Sequence, residues 1–191
     1  VLKGGYEVGF GYDGDGDRIG VIDEKGNIIW GDQLLIILAK DLLKKYPSAK
    51  IIGEVKCSRT LYETIAKLGG IPIMWKTGHS LIKNKMKEEK ALLAGEMSGH
   101  IFFADKWFGF DDGVYTSLRL AEILSQNNIP LSEYLKDIPK MYSTPEIRKE
   151  CSEEIKFEVV EKLVEKFKKE GLKVIDIDGA RIEFKEGWAL V

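Results

Sequence analysis

The chain is expected to be an α/β protein, with a mixed, largely parallel sheet flanked by helices and a truncated α+β C-terminal piece. Three observations predict this. Short apolar runs alternate with amphipathic segments of helical length across residues 28–139, as in βαβ units. Capping residues, glycines or a proline punctuate the junctions. From residue 140 onward the pattern changes to one amphipathic helix followed by three strand-like runs. With 191 residues, 44% of them hydrophobic, the chain can build one medium core or two small ones.

The elements follow in order. EVGFGY and IGVID flank an acidic loop within residues 7–23, and Gly26-Asn27 turns the chain into IIW. Asp32 is placed to cap a helix with the body QLLIILAKDLLKKY, closed by Pro47. IIGEV reads as a buried strand. Ser58 caps the next helix, whose Leu61, Ile65 and Leu68 share a face and which Gly69-Gly70 stop. IPIMW is a strand, residues 77–80 a turn with capping residues, and LIKNKMKEE a short basic helix balanced by Glu88 and Glu89. LLAGE and HIFF are strands. Asp111 or Asp112 opens a helix with Val114, Leu118, Ala121 and Leu124 facing inward, and capping accounts for both aspartates. A helix over residues 153–169, then KVIDID, RIEF and WALV, complete the chain. Both ends fall inside or beside a strand pattern, so the chain is expected to be part of a larger protein: residues 1–27 the tail of one domain, 28–139 a whole α/β domain, and 140–191 the start of another.

Bulk properties exclude several function classes. With 29 basic and 31 acidic side chains and a formal charge of -2, no global field argues for nucleic acid or an anionic membrane. LLIILA and ALLAG are far too short to span a bilayer, and the N-terminus lacks the basic-then-apolar layout of a signal peptide. Cys57 and Cys151 are distant and lack metal-ligand spacing, which suits a reduced, cytoplasmic protein.

The chemistry concentrates in loops. Asp13, Asp15 and Asp17 alternate with Gly14 and Gly16, so a glycine-relaxed backbone can curl until three carboxylates converge. Converging anions call for a hard divalent cation. A calcium EF-hand is excluded, although Glu24 supplies its twelfth-position acid: Arg18 stands where the sharp turn needs glycine, and the flanks read as strands. Nothing marks one of the three acids as a phosphatase-type nucleophile. Arg18 either balances the charge or presents a bidentate fork to a phosphate held by the same metal, and the second role suits phosphoryl transfer.

Lys56, His79 and His100 each follow a strand, in VKCSR, KTGHS and GEMSGH. Ligands of open α/β sheets bind beyond the carboxyl ends of strands, so these residues are expected to share a cleft. Any one alone reads as an exposed loop residue; their joint placement favours a site. In GEMSGH, Glu96 can accept hydroxyl hydrogen bonds from a sugar, Ser98 can donate or accept, and His100 can approach phosphate or carry a proton. Gly95 and Gly99 permit close backbone approach, while packing is the default role for Met97.

Together, DGDGDR at 13–18, VKCSR at 55–59, KTGHS at 76–80 and GEMSGH at 95–100 resemble the α-D-phosphohexomutase superfamily, specifically its phosphomannomutase/phosphoglucomutase branch. The resemblance runs along essentially the whole chain. It implies a four-domain enzyme, with 1–27 ending domain 2, 28–139 forming the sugar-binding domain 3 and 140–191 opening the phosphate-binding domain 4. It implies Mg²⁺ held by Asp13, Asp15 and Asp17 together with a phosphoserine from domain 1. It also implies interconversion of hexose 1-phosphate and 6-phosphate through a hexose 1,6-bisphosphate. Arg18, Lys56, His79, Glu96, Met97, Ser98, Gly99 and His100 would contact substrate, with His100 or Lys56 a proton shuttle. No serine lies in the family's Ser-His-Asn setting, so these 191 residues alone are expected not to turn over. The partners implied are the sugar phosphates and the enzyme's other domains. Two alternatives stay open. Phosphoglucosamine mutases usually carry glutamine where Met97 stands, and a non-catalytic sugar-phosphate or metal-binding module needs no serine.

Overall fold

The acidic loop is the turn between two antiparallel strands. In a computed structural model describing residues 1–191, β1 (Val8–Tyr12) pairs with β2 (Ile19–Asp23), and β2 pairs with β3 (Ile28–Ile29). In β2 the buried residues Ile19, Val21 and Asp23 alternate with exposed Gly20 and Ile22, the period of a strand with one covered face. Asp23 is buried because its carboxylate accepts the N–H groups of Lys25 and Asn27 at 2.9 and 2.7 Å, closing the turn into β3.

The second sheet of this unit has the order β5-β4-β6-β7, from β4 (Lys50–Glu54), β5 (Ile71–Trp75), β6 (Leu93–Gly95) and β7 (Ile101–Phe103). β4 is parallel to β5 and β6, and β7 is antiparallel to β6, so the sheet is mixed and largely parallel. The parallel connections run through α2 (Arg59–Lys67) and α3 (His79–Glu89), because parallel neighbours need a crossover. Alternation across the sheet divides the core. Ile51, Leu93, Ile101 and Phe103 join a cluster with α1 (Gly31–Lys45), α2 and α4 (Gly113–Gln126); Ile52, Ala94 and Phe102 meet Ile82 and Met86 of α3 on the other face. In α1, Leu34 to Ala39 are all buried, each large side chain contributing about 1.5–3 kcal/mol.

Four local expectations fail. Helix α1 starts at Gly31, before Asp32, with the Gln33 side chain accepting the Trp30 N–H at 3.0 Å. Asp32, 5% exposed, instead accepts the N–H groups of Gln33 and Ser58, both at 2.9 Å, so it pins the loop after β4 to the start of α1. Burial pushes its carboxyl pKa up against those bonds. Leu68, 42% exposed, falls off the buried face as the C-cap of α2. In the KTGHS turn the N-cap of α3 is Gly78, which contributes no side chain, and the helix opens at His79. Helix α4 buries Thr116, Ser117, Arg119, Leu120 and Ile123 rather than the Val114–Leu118–Ala121 stripe. Most of its inward polar groups are bonded: Thr116 Oγ1 donates to Asp112 O at 2.7 Å and Arg119 Nη1 donates to Asp105 at 2.9 Å, while Arg119 Nε makes no hydrogen bond and lies 3.4 Å from Glu122 Oε2.

Residues 1–138 form one compact unit and 139–191 another. The second comprises α5 (Lys156–Lys169) and an antiparallel sheet in the order β10-β9-β8, from β8 (Lys173–Ile175), β9 (Arg181–Glu183) and β10 (Trp188–Leu190). Arg181 is fully buried there; its Nε bonds Glu183 at 2.8 Å and its guanidinium lies 3.9 Å from the Trp188 ring centroid. No helix is long and apolar enough to cross a membrane.

Candidate functional site

The acidic loop is held in shape by its own arginine. Arg18 donates its backbone N–H to Asp13 Oδ1 at 3.2 Å and its Nε–H to Oδ2 at 2.6 Å, with Asp17 Oδ1 3.9 Å from the same nitrogen. That bond holds the Asp13 carboxyl below the usual carboxylate range and raises the Arg18 pKa. Asp13, Asp15 and Asp17 each offer an oxygen, and the three lie within 4.8 Å of one another. An all-carboxylate donor set that converges in this way suits a small, hard divalent cation.

The GEMSGH loop is laced to the acidic loop. Ile19 donates its N–H to Gly99 O at 3.1 Å, and Arg18 forms an isolated antiparallel bridge with His100. Gly99 has φ +93, and a Cβ there would stand 2.4 Å from Ile19 O, so a side chain would separate the loops. A Cβ on Gly113, first residue of α4, would meet Gly16 O and Arg18 O at 2.8 and 2.7 Å, which seats the acidic loop directly on the helix start.

Within GEMSGH, Glu96 is only 3% exposed. Its Oε1 accepts the Gly78 N–H at 2.7 Å, tying in KTGHS, while Oε2 accepts from Ser98 Oγ at 3.2 Å and lies 2.9 Å from His100 Nδ1. The other imidazole nitrogen of His100, Nε2, is 3.5 Å from Asp17 Oδ1, so this histidine links the GEMSGH loop to the acidic loop. The His79 and His100 rings stack at 5.7 Å with 19° between planes. Met97 is half-buried and packs on the apolar cluster, while Ser98 is exposed. An open cleft of about 350 Å³ is lined by Tyr12, Asp13, Arg18, Ile19 and Ser98, bringing both loops to one surface.

Lys56 follows β4 as expected, with its side chain 46% exposed and its Nζ 3.6 Å from Glu54 Oε2. Of the anticipated residues, the acidic triad, Arg18, His79, Glu96, Ser98, Gly99 and His100 form one contiguous set; Lys56 joins it through Glu54, which accepts the Met97 N–H at 2.8 Å.

Sequence reasoning missed two members. Lys83, read as part of a solvated basic face, donates to Asp111 Oδ1 at 2.9 Å and lies 3.1 Å from His79 Nδ1. With Lys83 donating to Nδ1, the proton of a neutral His79 sits on Nε2. Asp111, read as a cap, is 9% exposed and lies against both histidines: its Oδ2 is 3.5 Å from His79 Nδ1 and 3.9 Å from His100 Nε2. The cap is Asp112, which accepts the Tyr115 N–H at 2.8 Å. The doubled aspartate was the available signal, since one carboxylate suffices to cap a helix.

Residues 30–142 match the family model described as phosphoglucomutase/phosphomannomutase, alpha/beta/alpha domain III. A phosphomannomutase/phosphoglucomutase of Pseudomonas syringae pv. tomato is 48% identical over 191 residues, all of this chain and 41% of that protein. A phosphoglucomutase of Neisseria gonorrhoeae is 48% identical, covering all of this chain and 42% of the relative. A crystal structure of a phosphoglucomutase/phosphomannomutase family protein from Burkholderia thailandensis superimposes with TM-score 0.87 at 45% identity, over 96% of this chain and 39% of that one. The chain thus spans about two fifths of the length of the relatives it matches.

Proposed function

Since the chain belongs to the phosphoglucomutase/phosphomannomutase family, we propose that it supplies the metal-binding and sugar-binding parts of a phosphohexomutase that interconverts hexose 1-phosphate and hexose 6-phosphate. One observation carries this reading. His100 stands between Asp17 of the acidic loop, at 3.5 Å, and Glu96 of the sugar loop, at 2.9 Å, so phosphoryl chemistry and hydroxyl recognition meet at one side chain.

Asp13, Asp15 and Asp17 would hold Mg²⁺, which supplies charge neutralisation for the transferring phosphoryl group. Arg18, tied to Asp13, offers its remaining N–H groups to phosphate oxygens. Glu96 keeps a lone pair on Oε1 for a sugar hydroxyl while its present bonds fix its direction. His100 Nε2 is available to take the proton of the attacking hydroxyl, with Nδ1 oriented by Glu96 and Ser98. Lys56 adds positive charge, and His79 a ring N–H at Nε2, for the substrate's other phosphate. A phosphoserine on another domain would carry the phosphoryl group, the fourth domain would complete the phosphate grip, and the enzyme would work in the cytoplasm. Met97 favours mannose or glucose phosphates over glucosamine phosphate: it presents a packed thioether where glutamine would offer hydrogen bonds. kcat/KM on the three sugar 1-phosphates tests that preference.

The test is turnover of hexose 1-phosphate by the full-length protein with Mg²⁺, set against Asp15→Ala. Loss of a ligand to the transferring centre is expected to lower kcat at least about a hundredfold with folding intact. Near-wild-type turnover of Asp15→Ala at saturating Mg²⁺ rules out the metal assignment. The 191-residue chain alone is expected to show no turnover, and measurable conversion by it rules out the missing carrier.

A further inference from the structure

One carboxylate beside the site has no part in that scheme. Glu54 closes β4, the strand between β5 and β6, and its side chain is 0% exposed. A charged side chain is almost never fully buried without a partner. Here the carboxylate stands where three strand-end loops meet. Oε1 accepts the Met97 N–H of the sugar loop at 2.8 Å, and the Thr77 side chain of the KTGHS loop hydrogen-bonds to the carboxylate. Oε2 is buried without a hydrogen bond and faces the Lys56 ammonium at 3.6 Å. Burial pushes the Glu54 pKa up, while Thr77 and Lys56 pull it back.

We propose that Glu54 is a positioning residue for sugar-phosphate binding, its buried carboxylate fixing the Lys56 ammonium and the Met97 N–H of the sugar loop in one arrangement. The inference rests on the phosphohexomutase reading and deepens it. A lysine ammonium on a four-carbon stem samples many rotamers, and ordering it on binding weakens affinity. An ammonium already drawn to a buried carboxylate is spared much of that loss. It keeps donors free on its exposed side for phosphate. Because the same carboxylate receives the Met97 N–H, the cation and the hydroxyl-reading loop are set by one group.

The experiment uses the full-length protein. Glu54→Gln keeps the size and the acceptor for the Met97 N–H but removes the charge facing Lys56. The variant is expected to melt as wild type does, to raise Kd and KM for hexose 6-phosphate about tenfold, and to keep kcat within about twofold. A brace without a positioning role would lower thermal stability and leave affinity unchanged. Lys56→Met is expected to raise Kd similarly, and Glu54→Gln added to it should cause no further loss. Losses that multiply in the double variant overturn the proposal. A readout without substitution at Glu54 is the Lys56 side-chain ¹⁵Nζ signal: an ordered ammonium in unliganded protein is expected, and a freely rotating one overturns the proposal. Wild-type protein that neither binds nor converts hexose phosphate removes the functional reading and this inference together. Wild type that does both, matched by Glu54→Gln, overturns the inference alone.

Discussion

Two neighbouring aspartates divide structural and chemical work at the start of α4. Asp112 receives the Tyr115 N–H, one of the donors every helix leaves unmatched at its start, so Asp112→Ala is expected to cost about 1 kcal/mol of stability without changing affinity. Asp111 is turned into the site, where Lys83, His79 and His100 gather on its carboxylate. Asp111→Asn keeps the shape and removes that charge; it should lower kcat/KM of the full-length protein about tenfold or more and leave the melting temperature near wild type. Equal effects of the two substitutions on chemical denaturation and on kinetics would show that the division is wrong. Nothing in the letters GFDDG distinguishes the pair, because either aspartate can cap. The antiparallel bridge between Phe102 and Asp111 sets which carboxylate faces the histidines, and that pairing is tertiary information. Asp13, Asp15, Asp17 and Arg18 were legible because their convergence is local, written in a short glycine-relaxed turn.

Helix and strand identities were legible wherever the apolar period was strong and the ends were punctuated, as in β4, α2 and β5. Helix faces were less so. In α4, Val114, Leu118 and Ala121 repeat at helical spacing, but so do Thr116, Leu120 and Ile123. The second stripe is buried together with Ser117 and Arg119, and bonds from Thr116 to Asp112, Tyr12 to Ser117 and Arg119 to Asp105 hold the polar side chains on that face, whereas Val114 and Leu118 stay 53% and 63% exposed. Hydrophobicity alone ranks these stripes in the wrong order, since partners for Ser117 and Arg119 come from outside the helix. A second inter-element tie yields a pH prediction. Lys50, first residue of β4, and Lys85 of α3 both bond Glu89, and hydrogen bonds from Lys50, then Lys85, hold its carboxyl from 4.5 down to about 2. A depressed carboxyl favours the folded state while ionised, so this contribution is full above about pH 4.5 and fades as pH falls toward 2. Titration of the Glu89 side-chain carboxyl by NMR should give a midpoint near 2 in wild type, and a higher one in Lys50→Met. A wild-type midpoint at the ordinary glutamate value would contradict the tie.

Across the whole molecule, the candidate residues Lys56, His79, Glu96 and His100 lie at the carboxyl edge of the β4-centred sheet, where the strand–helix alternation led them to be expected. What the alternation could not convey is how the acidic loop is fastened to that edge. The bonds Ile19 N–H to Gly99 O and Gly113 N–H to Gly16 O, at 3.1 and 3.0 Å, join segments far apart in sequence. They place the acidic loop in the unit formed by residues 1–138, which holds every candidate site residue. Between this unit's last element and α5 the chain has no regular structure from 139 to 152, and every side chain from 139 to 155 is exposed. Unprotected backbone with exposed side chains is where proteases cut first. Brief trypsin treatment of the 191-residue chain should therefore cleave at Lys140, Arg148 or Lys149 before any site within 1–138. The N-terminal product carries the whole α1-centred core, and its stability rests on that burial. A 1–138 protein should thus melt cooperatively, within a few degrees of the main transition of the longer chain. It should also retain the Mg²⁺ affinity of the longer chain, measured by calorimetry, because all three aspartates and their Arg18 clamp lie inside it. A 1–138 protein that is unfolded would show that residues 139–191 contribute to the first unit's stability. One that is folded but has lost the longer chain's affinity for the cation would show that the proposed metal site is not complete within residues 1–138.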